Sequence, residues 1–120
     1  MQLKSLTPML WVDDIPATIE FYSKNLGFTC GNYVEEAGWA YLEKDGVEIM
    51  LALHNQHIPY HPSHFTGTFY FTTADVDVWW ENLKDKVEIV YPLEDFEYSM
   101  REFAIRDNNG YILQFGQENS

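Results

Sequence analysis

At 120 residues, with 46% hydrophobic and 17% aromatic content, the chain is long enough for one cored domain and too apolar to be disordered. Its 19 acids against 7 bases give a formal net charge of −12. That charge disfavours nucleic acid and anionic membrane, whose attraction rests on Lys and Arg, and suits a cationic ligand or plain solubility. Cys30, the single cysteine, leaves no intrachain disulfide and reads as a small buried apolar residue. The N-terminal Met1-Gln2-Leu3-Lys4-Ser5 has no apolar run suited to a signal peptide or membrane span, so a cytoplasmic protein is expected.

In chain order, Leu6 to Val12 reads as a strand. Asp13 and Asp14 offer an N-cap and Pro16 fits a first helical turn. Ile15, Ile19, Tyr22 and Leu26 then recur at helical spacing, and Gly27 stands where a terminating glycine belongs. Strands are expected over Phe28 to Glu35, Trp39 to Glu43 and Val47 to Leu53, the last two joined by an Asp45-Gly46 turn. Residues 54–66 lose all periodicity and read as a linker. Its His54, His57, His61 and His64 are expected to be solvated, with a zinc or copper site as the alternative. Gly67 to Thr73 starts a new strand, and Asp75 is placed to cap a helix bearing Val76, Trp79, Trp80 and Leu83 on one face. Val87 to Tyr91 reads as a strand, Pro92 to Tyr98 as a loop, Glu102 to Arg106 as a strand, and Tyr111 to Phe115 as the last strand after an Asn109-Gly110 turn.

The order repeats. Thr7 precedes Asp14 as Thr68 precedes Asp75, at an offset of 61; Asp45-Gly46 and its strand match Asn109-Gly110 and its strand, at an offset of 64. The reading is therefore α+β: two paired βαβββ modules in one domain over residues 1–120. Module one spans about 5–54, the linker about 55–66 and module two about 67–118. Pairing the modules should give a curved mixed sheet with helices outside and a cleft inside.

Two stretches carry a family resemblance. They are Asp14 to Gly27, of the form D-x6-F-Y-x3-L-G, and Arg101-Glu102-Phe103-Ala104-Ile105-Arg106-Asp107-Asn108-Asn109-Gly110. Together they resemble the vicinal oxygen chelate superfamily of glyoxalase I, extradiol dioxygenases, and fosfomycin and bleomycin resistance proteins. Pro8 and the Val34-Glu35-Glu36 run resemble the bleomycin resistance branch most closely. The resemblance implies the paired modules, a homodimer, and four metal-ligand positions on the first, fourth, fifth and eighth strands. Those positions fall on Thr7, Met50, Thr68 and Gln114. Only Gln114 offers a ligand of a usual kind, so no metal and no other cofactor is expected.

Counted from those implied ligand positions, strand parity puts Thr7, Met9 and Trp11, Glu48, Met50 and Ala52, Thr68, Tyr70 and Thr72, and Ile112 and Gln114 on the cleft side. The helix side takes Leu6, Leu10, Val12, Ile49, Leu51, Leu53, Phe69, Phe71, Leu113 and Phe115. The expected ligand-binding set is Thr7, Trp39, Tyr41, Glu48, Met50, Thr68, Tyr70, Glu102 and Gln114. Trp39 matches an aromatic that faces ligand in the resembled branch. Glu102, an acid in an apolar strand, either reaches the cleft or pairs with Arg101 or Arg106.

The functional expectation is a non-catalytic homodimeric protein that sequesters a partly cationic aromatic small molecule, such as a bleomycin-type antibiotic, in a dimer cleft, with no catalytic residue. The alternatives are a metal-dependent lyase, isomerase or dioxygenase with a relocated metal, and a housekeeping binder of another ligand. No nucleic-acid or membrane partner is expected.

Overall fold

In a computed structural model, which describes residues 1–53, 62–64 and 67–119, the chain forms two compact units, Met1–Pro62 and Ser63–Ser120. The first contains β1 (Met9–Trp11), α1 (Ile15–Leu26), β2 (Thr29–Val34), β3 (Trp39–Lys44) and β4 (Val47–Ala52). The second contains β5 (Phe69–Thr72), α2 (Val76–Leu83), β6 (Glu88–Phe96), β7 (Met100–Arg106) and β8 (Ile112–Glu118). The sheet orders are β1-β4-β3-β2 and β5-β8-β7-β6. In each unit the first strand pairs in parallel with the last, and the remaining pairs are antiparallel. The α+β class and the twofold βαβββ order are as the sequence implies.

Local chemistry sets the ends of α1. The Asp14 carboxylate accepts from the Ala17 amide at 2.9 Å, and Pro16 occupies the first turn, where its missing N–H costs nothing. Gly27 ends the helix at φ 79°, its amide donating to Ser23 O at 3.1 Å. Beneath the helix, Leu10, Val12, Ile15, Tyr22, Leu26, Leu42, Ile49 and Leu51 form a closed core. In the second unit α2 is anchored by aromatics instead. Phe115 stacks with Phe71, Trp79 and Phe103 at centroid distances of 5.2, 5.1 and 5.2 Å, and Trp80 meets Phe103 edge-on at 5.2 Å.

Several expectations need correction. Asp75 stands at the N-cap of α2, but its side chain caps nothing there; its carboxylate accepts from the Thr73 hydroxyl at 2.6 Å. The Val76 amide is satisfied by Gln117 Oε1 at 2.9 Å, from the sheet. Pro92 to Phe96 is strand, not loop. Proline is tolerated because β6 is an edge strand and is bulged at that point, so no ladder donor is lost. Leu6 and Leu53 lie beyond the ends of β1 and β4 and are 92% and 42% exposed rather than core. Cys30 is partly exposed. His54, His57 and His61 lie outside the described residues, and His64 is exposed.

The two turn motifs are structural. Asp45 and Gly46, at φ 52° and 83°, make the two-residue hairpin between Lys44 and Val47. Asp107 is buried and its carboxylate accepts from the amides of Asn109 and Tyr111 at 2.8 and 2.9 Å, which closes the β7–β8 turn. The acid of the Arg106-Asp107-Asn108-Asn109-Gly110 motif is thus committed to the backbone.

Candidate functional site

The face of each sheet turned away from its helix carries the expected site residues. In the second unit all four strands contribute to one polar cluster. Glu102, on β7, is 1% exposed. Tyr70, from β5, donates its hydroxyl to Glu102 Oε1 at 2.9 Å. Tyr91, from β6, donates to Oε2 through a short hydrogen bond. Gln114, from β8, donates its amide to the Tyr91 oxygen at 2.8 Å and to Glu102 Oε2 at 3.3 Å. Thr68 in turn donates to Gln114 Oε1.

Glu102 has no ion-pair partner among the described residues. Arg101 pairs with Asp77 at 2.8 Å and Asp95 at 3.2 Å, and Arg106 with Glu88 at 2.9 Å. The sequence alternative of an Arg–Glu102 pair is therefore not realised. The carboxylate is satisfied by neutral donors, and no buried side-chain N or O among the described residues lacks a partner.

Burial first, then the Glu102 hydrogen bond, drives the Tyr70 phenol well above its usual 10.0. Burial is also the leading cause for Tyr91, pushed up to about 12, where the Gln114 bond opposes the shift and Glu102 adds to it. Both phenols stay protonated donors across the physiological range.

Gly116 makes the cluster possible. It is the ladder neighbour of Glu102, and a side chain there would run into the Tyr70 hydroxyl and ring. Tyr91 reaches the cluster through a bulge. Ile89 pairs with Ile105 on the helix side, yet Tyr91, two residues on, pairs with Ala104 on the Glu102 side. The extra residue reverses the alternation. Strand parity alone therefore misplaces Tyr91, and sequence reasoning missed it. The remaining missed members are Phe96 and Tyr98. Phe96 contacts Tyr91 at 5.6 Å and stacks on Tyr98 at 5.3 Å.

The first unit brings together a different set. Tyr41 donates to Glu48 Oε1 at 2.7 Å, which is the first cause of its raised pKa. Met50 is the ladder neighbour of both Tyr41 and Met9, and Trp39 sits in the next row opposite Ala52. Thr7 precedes β1 and is half-buried. Of the expected binding residues, Thr68, Tyr70, Glu102 and Gln114 thus form one hydrogen-bonded cluster. Tyr41, Glu48, Met50 and Trp39 share a face of the other sheet.

The register of each sheet equates the four metal-ligand positions of the resembled superfamily. Met9 pairs with Met50 as Tyr70 pairs with Gln114, so Thr7 and Thr68, two residues earlier, correspond. The donors do not fit a divalent ion. Thr7 and Thr68 are hydroxyls, Met50 is a thioether, and the one amide oxygen, on Gln114, already accepts from Thr68. Among the described residues no group of three His, Cys, Asp or Glu is placed to hold a metal.

This fold, with its βαβββ order given twice, is matched among known proteins. The sequence model of the Glyoxalase/Bleomycin resistance protein/Dioxygenase superfamily fits residues 4–115. The chain belongs to that superfamily. No curated protein matches the sequence. Among solved structures, a protein of unknown function from Agrobacterium tumefaciens str. C58 is similar at TM-score 0.80 and 21% identity, over 98% of this chain and 96% of that one. A glyoxalase/bleomycin resistance protein/dioxygenase from Nocardioides gives 0.78 and 20%, over 100% and 87%. A lactoylglutathione lyase from Agrobacterium tumefaciens gives 0.74 and 18%, over 98% and 96%. At these identities the likeness is one of fold. Among the described residues no helix is long and apolar enough to cross a membrane.

Proposed function

We propose that the chain is a non-catalytic, homodimeric binder of a partly cationic aromatic small molecule, related to the bleomycin resistance branch of its superfamily. One observation carries this reading: Glu102, a buried acid with no cationic partner among the described residues, is ringed by phenols on the open face of the second unit. A buried carboxylate held only by neutral donors leaves a negative potential that a bound cation complements. The aromatic side chains beside it add a stacking surface. The net charge of −12 draws such a ligand in. Against catalysis stands the donor set at the superfamily's metal positions, which supplies no Lewis acid. A second copy of the chain is proposed to complete the ligand cleft alongside the exposed Tyr70 and Tyr98 rings, leaving their faces to the ligand.

Calorimetric titration with metal-free bleomycin at low salt tests the reading. Saturable binding that weakens as salt is added, and that Glu102→Gln largely removes, is the expected result. Trp39→Ala reports whether the first unit's face takes part. Absence of saturable binding sinks the bleomycin-type reading, and a stoichiometric divalent metal in the purified protein would favour an enzyme. Sedimentation should show a dimer at micromolar concentration.

A further inference from the structure

We infer that the second unit's cluster selects an alkylated ammonium, a cation without N–H donors, over a primary ammonium or guanidinium. This deepens the proposed function and rests on its cation-binding premise. Both oxygens of Glu102 are already taken, Oε1 by Tyr70 and Oε2 by Tyr91 and Gln114. The carboxylate is also 1% exposed, so a ligand does not touch it. A guanidinium seeks two free carboxylate oxygens side by side, and a primary ammonium seeks three acceptors. Neither is offered. What the cluster presents instead is aromatic. Tyr70 is 42% and Tyr98 59% exposed, Phe96 stacks on Tyr98, and Tyr91 lies against Phe96.

Two effects make these rings good hosts for a cation. A phenol that donates to a carboxylate is polarised towards greater electron density, and Tyr70 and Tyr91 both do so. The negative charge of Glu102 lies behind them and adds its field. The carboxylate also raises the Tyr98 pKa, after burial as the larger cause, which places that third phenol in the same field. An onium group needs only electron-rich faces and a nearby negative charge, with no hydrogen-bond acceptor. Tyr70, Tyr91, Phe96, Tyr98 and Glu102 provide that combination from three strands and a turn.

The test is calorimetry on the full chain at low salt with three small probes: choline, its neutral carbon isostere 3,3-dimethylbutan-1-ol, and methylguanidinium. Choline should saturate, and each of the other two should bind weaker by about tenfold or more. Tyr98→Leu should weaken choline while leaving the Tyr70, Tyr91 and Gln114 hydrogen bonds to Glu102 in place, and Tyr98→Phe should restore it. Tyr98 is exposed in a turn, so neither change threatens folding. Glu102→Gln should abolish the preference for choline over its isostere. The inference is overturned if choline fails to saturate, if the isostere matches it, if methylguanidinium binds better, or if Tyr98→Leu has no effect. Bleomycin titrated in parallel separates the two ideas. Binding of bleomycin without choline retains the proposed function and removes the onium preference. Binding of neither removes both.

Discussion

The open faces of the two units share one backbone frame and differ in chemistry. The ladders place Trp39 where the other unit has Glu102, Met9 where it has Tyr70, Met50 where it has Gln114, and Ala52 where it has Gly116. Even the bulge recurs. Cys30 pairs with Leu42 and Asn32 with Tyr41, as Ile89 pairs with Ile105 and Tyr91 with Ala104. The first face is soft and mostly apolar, with one Tyr41–Glu48 pair on it. The second holds a buried acid in a closed hydrogen-bond network. A fixed frame thus tolerates opposite site chemistries, because the side chains on this face do not build the helix-side core. Function within such a repeat is written in the differences between its copies, not in what they share.

The sharpest way to break this comparison is to remove the acid from each face. Glu102→Ala removes the acceptor of the Tyr70 and Tyr91 hydroxyls and one of the two acceptors of the Gln114 amide, and should cost about 2–4 kcal/mol of stability. Glu48→Ala leaves one phenol that water can reach, and should cost clearly less. Urea denaturation monitored by circular dichroism reads both. Equal losses would show that the second unit's network carries no special weight.

Exchanging the small residues is the next probe. Gly116→Ala forces Tyr70 off Glu102 and should cost about 1–3 kcal/mol. Ala52→Gly, its counterpart, loses only strand propensity, about 0.5–1 kcal/mol. The same denaturation measurement applies, and the loss of the Tyr70 contact should also appear as easier ionisation of one phenol in ultraviolet titration. A Gly116→Ala protein as stable as the parent would remove Gly116 from the account of the site.

Alkaline pH is the last probe. The Tyr91 phenol is raised from 10.0 to about 12 in the folded chain, and Tyr70 is raised as well. A raised folded pKa stabilises the protein fully below the unfolded value and loses that contribution as pH climbs through the folded one. Stability should therefore decline from about pH 10 to about pH 12, and Tyr91→Phe should flatten the decline. An unchanged slope in that variant would place the alkaline loss elsewhere, in the other phenols or the lysines.

How far the sequence disclosed all this depends on how local each cause is. The limits of α1 were legible because Asp14, Pro16 and Gly27 act within a few residues of themselves. The start of α2 was placed correctly, but its capping atom comes from Gln117, distant in sequence, and no local signal points to it. Pro92 read as loop because edge position and bulging are properties of the sheet, not of the segment. Glu102 stood out as an acid among apolar neighbours, Gln114 followed from the eighth-strand position of the resembled superfamily, and Tyr70 from parity counted from Thr68. Tyr91 did not, since one inserted residue reverses the face and leaves alternation a false guide. Tyr98 and Phe96 fall in a segment whose sequence reads as loop. The twofold offset, by contrast, survived intact because it depends on residue spacing alone.

The parallel pairing of first with last strand also governs the order of assembly. Tyr70 pairs with Gln114 across the full span of its unit, whereas β6, β7 and β8 are joined by short turns. The hairpins can form early, and β5 docks only after β8 is in place, because closing the long loop costs entropy before it returns contacts. Tyr70 therefore meets Glu102 late. A carboxylate that completes its hydrogen bonds last acts as a latch on the native state: weakening Thr68 or Tyr70 should hasten unfolding while leaving the folding rate nearly unchanged.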